Sequence, residues 1–290
     1  MLENATARHN SFWEFKGEVD YVDKWFLMAT PIPILTIWLA YLAFVLKIGP
    51  EFMKKRPPFN LNNVLVLYNA IQIIISCFVF CFGANLLLQN GLILQKRCIN
   101  DGDDLKMFLT TGIYYYFFAK LTELLDTIFF VLRKKDNQVT FLHVYHHSAT
   151  LLCSWFALKY EPSYSTVFLG TINSFVHIVM YTYYGLSAFP DLSKYLWWKK
   201  YITSMQLVQF LLMVIQVTVN YKASSCRPSY VLLFMINFNV LLFLYLFSDF
   251  YIKSYIKNNQ KRIENEKQRR NGSKHMNGRN GKIFKKSTIN

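Results

Sequence analysis

Long apolar runs separated by short polar segments dominate the 290-residue chain. A helix needs roughly 20 mostly apolar residues to cross the hydrocarbon layer of a membrane. Seven segments meet this requirement, and the pattern predicts helices at about 26–48, 61–88, 107–132, 139–159, 164–189, 201–221 and 229–252. No early segment has the order of basic, apolar and small residues that marks a cleaved signal peptide, so we expect the first span to remain as an anchor.

Composition supports an all-α membrane protein. Hydrophobic residues make up 53% of the chain and charged residues 17%, whereas soluble domains carry about 25% charged residues. This excludes disorder over most of the chain and argues against a soluble nucleic-acid-binding protein, despite the net charge of +15. The chain is predicted to divide into an N-terminal segment, 1–25, a seven-helix transmembrane domain, 26–252, and a basic, disordered tail, 253–290.

Basic residues are unequally distributed between the two sets of connecting segments. The segments at the ends of the first, third, fifth and seventh predicted spans hold 22 Lys and Arg residues, and the opposite connections hold six. The positive-inside rule therefore predicts a cytosolic C-terminus and an N-terminus that lies outside or in a lumen. Asn4 begins an Asn-Ala-Thr glycosylation sequon on that lumenal segment.

The five cysteines fall into two groups. Cys98 and Cys226 lie in connections on the predicted lumenal side, where an oxidising compartment permits a disulfide. We favour a disulfide over two free thiols because the other three cysteines lie inside predicted spans. There Cys77, Cys81 and Cys153 are interpreted as apolar packing residues.

Four clusters of polar residues interrupt the predicted spans. They are Lys120, Glu123, Asp126 and Thr127; His143, His146 and His147; Asn173, His177, Tyr181 and Tyr184; and Thr203, Gln206 and Gln209. Ionisable groups inside a membrane are costly and indicate functional sites. Counted along helices of alternating direction, all four clusters converge on the cytosolic half of the bundle. The charged residues of the first cluster could also form an ion pair that stabilises the bundle.

The histidines allow two kinds of chemistry. The first is a metal site, as in histidine-box desaturases and hydroxylases, but the four membrane histidines are about half the number needed there. A site for a single zinc ion on three or four of these histidines is a variant of this alternative that the sequence leaves open. The second is nucleophilic or acid–base catalysis, in which an imidazole attacks an acyl group or moves a proton while amide side chains stabilise an oxyanion.

The clusters form an ordered series of motifs. They read Lys120-x-x-Glu123-x-x-Asp126-Thr127, His143-x-x-His146-His147, His177-x-x-Met180-Tyr181-x-Tyr183-Tyr184 and Thr203-x-x-Gln206-x-x-Gln209. This series resembles the very-long-chain fatty acid elongase family, the condensing enzymes of chain elongation in the endoplasmic reticulum. The resemblance covers all seven predicted spans. It implies that a long-chain acyl-CoA condenses with malonyl-CoA, releasing carbon dioxide and CoA and giving a 3-ketoacyl-CoA that is two carbons longer.

The same resemblance implies further properties. The helices would enclose an acyl-chain tunnel, and the step would need no metal or redox cofactor. A ketoacyl-CoA reductase, a 3-hydroxyacyl-CoA dehydratase and an enoyl-CoA reductase would act in the same endoplasmic reticulum membrane. Dimerisation is implied by resemblance only. The stretch from Gln138 to His147 resembles the branch that acts on polyunsaturated or very long chains.

Motif by motif, the resemblance also implies roles for individual residues. His146 is the candidate nucleophile that carries an acyl-imidazole, and His143 and His147 would orient it and move protons. His177 would assist the reaction of malonyl-CoA. The expected substrate-binding residues are Lys120, Glu123, Asp126, Asn173, Tyr181, Tyr184, Gln206 and Gln209. If no acyl-enzyme forms, the same histidines would act only as bases.

Basic residues at the predicted cytosolic ends have two interpretations. Arg133, Lys134, Lys135, Lys199 and Lys200 could contact the phosphates of CoA. Equally, they could reflect the positive-inside bias alone.

A seven-span receptor or a proton-coupled transporter is the alternative from another class. A receptor would place its ligand pocket on the outer side, whereas these clusters face the cytosol. A transporter would explain the buried ionisable groups but not the ordered motifs.

Overall fold

The computed structural model describes residues 21–96, 103–224, 227–257 and 260, and every regular element among them is helical. The long helices are α1 (Ile32–Met53), α2 (Asn62–Asn90), α3 (Asp103–Leu132), α4 (Phe141–Tyr160), α5 (Tyr164–Ser187), α6 (Lys199–Ala223) and α7 (Tyr230–Tyr251). Shorter helical turns span Tyr21–Lys24, Pro190–Tyr195 and Ile252–Lys257. These positions agree with the predicted elements, apart from the bounds of α1.

The helices that are long and apolar enough to cross a membrane lie toward the two ends of the chain. Among the described residues, four helical segments are long and apolar enough to cross a membrane, namely Ile32–Met53, Asn62–Asn90, Lys199–Ala223 and Tyr230–Lys257. The other three long helices, α3, α4 and α5, carry the charged residues and histidines. The described part of the chain is therefore all-helical, with apolar helices typical of a membrane protein and with polar residues on its central helices.

The chain divides into two compact units, Met1–Tyr245 and Leu246–Asn290. The first holds α1 to α6 and most of α7. In the second, Lys253 and Asp249 form an exposed ion pair of 2.6 Å one helical turn apart. The disordered tail was predicted over 253–290, but its first residues, up to Lys257, are helical. The predictions made for Asn4, Cys98, Cys226 and residues 261–290 concern residues that lie outside the described ranges.

Helix α1 begins later than its predicted start at residue 26. It starts at Ile32, and Pro33 stands in its first turn. Pro31 and Pro33 lack the N–H groups that a helix interior uses, and they fit only where those groups would be unpaired. The prolines, rather than the apolar run, therefore set the start of this helix.

Helix α1 also continues beyond its predicted end at residue 48. A π-helical turn covers Phe44–Ile48, in which the Gly49 N–H donates to the Phe44 carbonyl. Pro50 then occupies the first turn of a new α-helical segment, where its missing N–H is tolerated. The helix thus continues through Gly49-Pro50, although such a pair in the sequence predicts the end of a helix.

Contacts between connecting segments distinguish the two ends of the bundle. At one end, the Phe59 N–H donates to the Leu132 carbonyl at 3.1 Å and joins the segment after α1 to the end of α3. At the other end, the Gln95 N–H donates to Asn220 Oδ1 at 3.2 Å and joins the segment after α2 to the end of α6. The first connection therefore lies beside the third, and the second lies beside the sixth, as expected for helices of alternating direction.

The segment before α1 packs over the end of α4. Met28 is fully buried, and Trp155 Nε1 donates to the Leu27 carbonyl at 2.9 Å. Lys159 pairs with Asp23 and donates to the Met28 carbonyl at 2.7 Å. This charged group is thereby satisfied where the helix leaves the apolar core.

Helices α2 and α5 approach each other closely at a glycine. A Cβ atom at Gly83 would lie 2.1 Å from Thr171 Oγ1. Small residues allow such close approach between helices in a membrane. The Thr171 hydroxyl donates to the Val167 carbonyl at 2.7 Å, so it is satisfied within its own helix and needs no partner from α2.

A left-handed residue ends helix α3. Lys134 has a φ of 53°, its N–H donates to the Val131 carbonyl, and the Lys135 N–H donates to the Phe130 carbonyl. These two bonds form a Schellman motif, which usually has glycine at the left-handed position. Lys134 therefore carries a conformational cost that glycine would not.

We expect Lys134→Gly to be more stable than Lys135→Gly by about 1 kcal/mol. Both variants lose one positive charge and gain one glycine, but only Lys134→Gly relieves the left-handed conformation. Thermal unfolding of the purified protein in detergent, followed by tryptophan fluorescence, measures the difference. Equal stability of the two variants would contradict this account of the helix end.

Candidate active site

A buried ion pair lies at the centre of the site. Lys120 Nζ donates to Glu123 Oε1 at 2.7 Å and to Oε2 at 2.9 Å, and both side chains are 1% exposed. The two residues stand three positions apart on α3 and therefore share one face of the helix. Lys120 Nζ also donates to Asn173 Oδ1 on α5 at 2.6 Å. The buried charges thus satisfy each other and link two helices.

His177 completes this group from α5. Its Nδ1 lies 3.0 Å from Glu123 Oε1, on the carboxylate that also accepts from Lys120. The Tyr116 hydroxyl donates to Asn173 Oδ1 at 3.2 Å. A carboxylate facing Nδ1 favours the tautomer with the proton on that nitrogen, and Nε2 is then the basic nitrogen of the ring.

The three histidines of α4 form an adjacent cluster. Thr140 caps the helix by accepting from the His143 N–H at 3.3 Å, and this places the histidines in the first two turns. The ring centroid of His147 lies 4.4 Å from that of His143 and 5.4 Å from that of His146. Buried His143 Nε2 and His147 Nδ1 lack hydrogen-bond partners within the described part of the chain.

Helix packing brings the two groups onto neighbouring elements. The ring centroid of Phe130 on α3 lies 5.1 Å from that of His143 on α4, and Lys120 of α3 is bonded to Asn173 of α5. Residues of three of the four predicted clusters therefore lie on the adjoining helices α3, α4 and α5.

Two tyrosines form hydrogen bonds with the last two residues of the α3 motif, Asp126 and Thr127. The Tyr181 hydroxyl donates to Asp126 Oδ2 at 2.7 Å, and Tyr41 of α1 shares a hydrogen bond of 2.9 Å with Thr127. Tyr181 is fully buried. Asp126 thus holds a tyrosine of α5 and lies one turn beyond the ion pair.

Helix α2 contributes residues that the sequence analysis missed. The Tyr68 hydroxyl donates to the Thr122 carbonyl at 3.2 Å, and its ring packs 6.2 Å from that of Tyr181. Gln72 is 1% exposed and accepts from Thr122 Oγ1 at 3.4 Å. A polar stripe at Tyr68, Gln72 and Ser76 in an otherwise apolar span could have indicated this face.

The remaining predicted residues lie on α5 and α6. Gln206 Nε2 donates to the sulfur of Met180 at 3.8 Å, and Gln209 is buried without a partner for Oε1 among the described residues. Tyr184 is 39% exposed, with its ring 6.4 Å from that of the fully buried Tyr181.

The predicted basic residues lie at one end of the bundle. Arg133, Lys134 and Lys135 follow α3, and Lys199 and Lys200 begin α6. By the alternation of the helices, both groups lie at the end where α4 begins with its histidines. Lys135, Lys199 and Lys200 are exposed there.

Among the described residues, no three His, Cys, Asp or Glu side chains are grouped to hold a metal ion. The carboxylate of Glu123 is already engaged by Lys120 and faces His177. A small cavity of about 10 Å³ lies between α2, α3 and α5, lined by Gly83, Gly112, Tyr116 and neighbouring residues. This volume suits about one water molecule.

Buried imidazoles, a carboxylate–ammonium pair and an amide group thus lie on adjoining helices of the bundle. The chain belongs to the ELO family, described as the GNS1/SUR4 family, whose sequence model matches residues 26–263. The match includes all seven long helices. The predicted membership of the very-long-chain fatty acid elongase family is confirmed.

Curated relatives extend over most of the chain. It is 39% identical over 269 residues to very long chain fatty acid elongase 2 of Mus musculus, covering 92% of this chain and 91% of that protein. It is 38% identical over 253 residues to elongase 5 of Bos taurus, covering 87% and 84%. It is 40% identical over 240 residues to elongase 7 of Drosophila melanogaster, covering 81% and 72%.

Proposed function

We propose that the protein catalyses the condensing step of very-long-chain fatty acid elongation. An acyl-CoA and malonyl-CoA react with one proton to give a 3-ketoacyl-CoA, carbon dioxide and CoA. The observation that supports this most directly is the buried group of Lys120, Glu123, Asn173 and His177, on helices that adjoin the α4 histidines. Family membership and the relatives named as elongases support the same reaction.

In this proposal the reaction proceeds in two halves. A nitrogen of His146 attacks the thioester carbonyl, the C–S bond breaks, and CoA leaves with a proton while the acyl group stays on the imidazole. Malonyl-CoA then loses carbon dioxide, and the resulting carbanion attacks the acyl carbon and releases His146. His143 and His147 would orient His146 and move protons, and His177 would assist the second half from its place beside Glu123.

Polar side chains around the histidines would stabilise the charges that form. The enolate of decarboxylated malonyl-CoA carries negative charge on its thioester oxygen, which hydrogen-bond donors stabilise in a water-excluded site. The amides of Asn173, Gln206 and Gln209 are the candidates, together with Tyr181, whose hydroxyl would have to turn from Asp126 to the enolate. Lys120 would act mainly through Asn173 and Glu123, which it holds in place.

We further propose that all seven long helices cross the membrane, with the N-terminal segment in the lumen of the endoplasmic reticulum. The alternation of connections between the two ends of the bundle supports this arrangement. The basic residues after α3 and at the start of α6 would face the cytosol, where they could bind the phosphates of CoA. The acyl chain would occupy an apolar tunnel enclosed by the helices.

The product defines the partners that the proposal requires. A 3-ketoacyl-CoA needs reduction, dehydration and a second reduction before it is a saturated acyl-CoA. A ketoacyl-CoA reductase, a 3-hydroxyacyl-CoA dehydratase and an enoyl-CoA reductase in the same membrane would supply these steps. The condensation itself requires no metal or redox cofactor in this scheme.

The direct test uses membranes from a host with little elongase activity of its own. We expect labelled malonyl-CoA to enter 3-ketoacyl-CoA when the protein is present together with an acyl-CoA, and not when either is left out. A panel of saturated and polyunsaturated acyl-CoAs of increasing length would identify the preferred substrate. Absence of product with every acyl-CoA, from protein that is folded by size-exclusion chromatography, would overturn the proposal.

A further inference from the structure

Helix α7 contributes little to the protein interior, yet it contacts His146 of α4. Only Leu232, Val240 and Phe243 are buried among its residues in the first unit. Several of its other apolar side chains, such as Phe234 and Phe238, are exposed and suited to lipid. The few inward contacts therefore determine how α7 is held against the bundle.

Asn239 makes the polar contact between α7 and α4. Its Oδ1 accepts from the Tyr145 hydroxyl at 3.0 Å. Its Nδ2 donates to the Met235 carbonyl at 2.8 Å and lies 3.6 Å from the sulfur of Cys153. Hydrogen bonds between helices are favoured in lipid, because an unpaired amide there has no water to bind. Asn239 thus holds α7 against the face of α4 that carries His146.

Phe243 stands one turn beyond Asn239 and covers His146. It is 4% exposed, and its ring centroid lies 4.9 Å from the imidazole of His146. It also packs 5.8 Å from Tyr145 and 5.9 Å from Phe210 of α6. The ring therefore fills the space between α4, α6 and α7 on one side of His146.

We propose that Asn239 and Phe243 are positioning residues that keep the His146 imidazole in place and exclude water from the acyl carbon. The proposal rests on the condensation proposed above. An acyl group at this position can react with the malonyl carbanion or with water. Water would form a C–O bond to the acyl carbon as the bond to sulfur or imidazole breaks, giving a free fatty acid. An apolar cover suppresses this side reaction by excluding water.

The test compares matched substitutions on α7. Asn239→Leu removes the bond to Tyr145, whereas Asn237→Leu changes an amide that donates to the Leu233 carbonyl of its own helix. Phe243→Ala removes the cover, and Phe234→Ala shortens an aromatic residue that is 68% exposed. Each purified variant is incubated in lipid nanodiscs with an acyl-CoA and malonyl-CoA. Free fatty acid and 3-ketoacyl-CoA are then measured in the same sample.

The ratio of fatty acid to 3-ketoacyl-CoA should rise about tenfold in Asn239→Leu and Phe243→Ala, which corresponds to about 1.4 kcal/mol between the two barriers. It should stay at the wild-type value in Asn237→Leu and Phe234→Ala. Phe243→Leu keeps an apolar cover, and its ratio of fatty acid to 3-ketoacyl-CoA should be close to the wild-type value. A merely destabilised protein would lose both products together, and an unchanged ratio in both test variants overturns the proposal.

Cys153 gives a readout that does not depend on the reaction. With Cys77, Cys81, Cys98 and Cys226 replaced by serine, a bilayer-permeable maleimide should label Cys153 faster in Asn239→Leu than in Asn237→Leu. Equal labelling rates would show that Asn239 does not hold α7 against α4. If wild type gives no 3-ketoacyl-CoA, the proposed function fails, while the labelling rates still report on the contact between the helices.

Discussion

His146→Ala is expected to lower the condensation rate by about 10³-fold or more. In the proposed mechanism this residue forms the covalent bond to the acyl group, and no neighbouring histidine lies in the same position. Labelled malonyl-CoA incorporation into 3-ketoacyl-CoA measures the loss. His9→Ala is the matched control, since it makes the same chemical change outside the predicted transmembrane domain and should keep wild-type activity.

Mass spectrometry distinguishes the two roles that His146 could have. Wild-type protein incubated with an acyl-CoA alone should gain the mass of the acyl group on the peptide that contains His146. His146→Ala should not gain it. Near-normal activity of His146→Ala would show that the nucleophile is wrongly assigned. A large loss of activity without any acyl-enzyme in wild type would favour a role as base.

Lys120→Met is expected to lower the free energy of unfolding by about 3–5 kcal/mol, because it leaves the buried carboxylate of Glu123 without its charged partner. Thermal unfolding in detergent measures the change. Lys253→Met is the matched control, since the same substitution there breaks an exposed pair with Asp249. We expect the control to cost less than about 1 kcal/mol.

The double variant Lys120→Met/Glu123→Gln separates stability from activity. Removing both charges should recover most of the lost stability, because no unpaired charge then remains buried. Condensation should stay low, since His177 would no longer face a carboxylate and Asn173 would keep only Tyr116 of its two donors. A double variant that regains activity as well would show that the pair only stabilises the bundle.

The positions of the long helices were predictable because each has an apolar run of the required length. Their ends were less predictable where proline chemistry overrides hydropathy. Pro31 and Pro33 delay the start of α1, and a π-helical turn lets it continue past Pro50. Periodicity alone does not show that a wider turn can accommodate a proline.

The site was predictable where ionisable residues interrupt apolar spans, as Lys120, Glu123 and His177 do. Helical spacing placed residues on the same face, but it could not identify which helices are neighbours. Asn173 as the second partner of Lys120 emerges only from the packing of α3 against α5. Tyr41 and Tyr68 were missed because a tyrosine in an apolar span is equally consistent with packing.

The contact between Gly83 and Thr171 restricts the order in which this part of the sequence can change. A methyl group at position 83 would overlap the threonine hydroxyl, so Gly83→Ala is disfavoured while Thr171 is present. Thr171→Gly removes that atom and should be tolerated first, after which position 83 becomes free to vary. An engineered or natural lineage would therefore reach the double variant Gly83→Ala/Thr171→Gly through Thr171→Gly and not through Gly83→Ala.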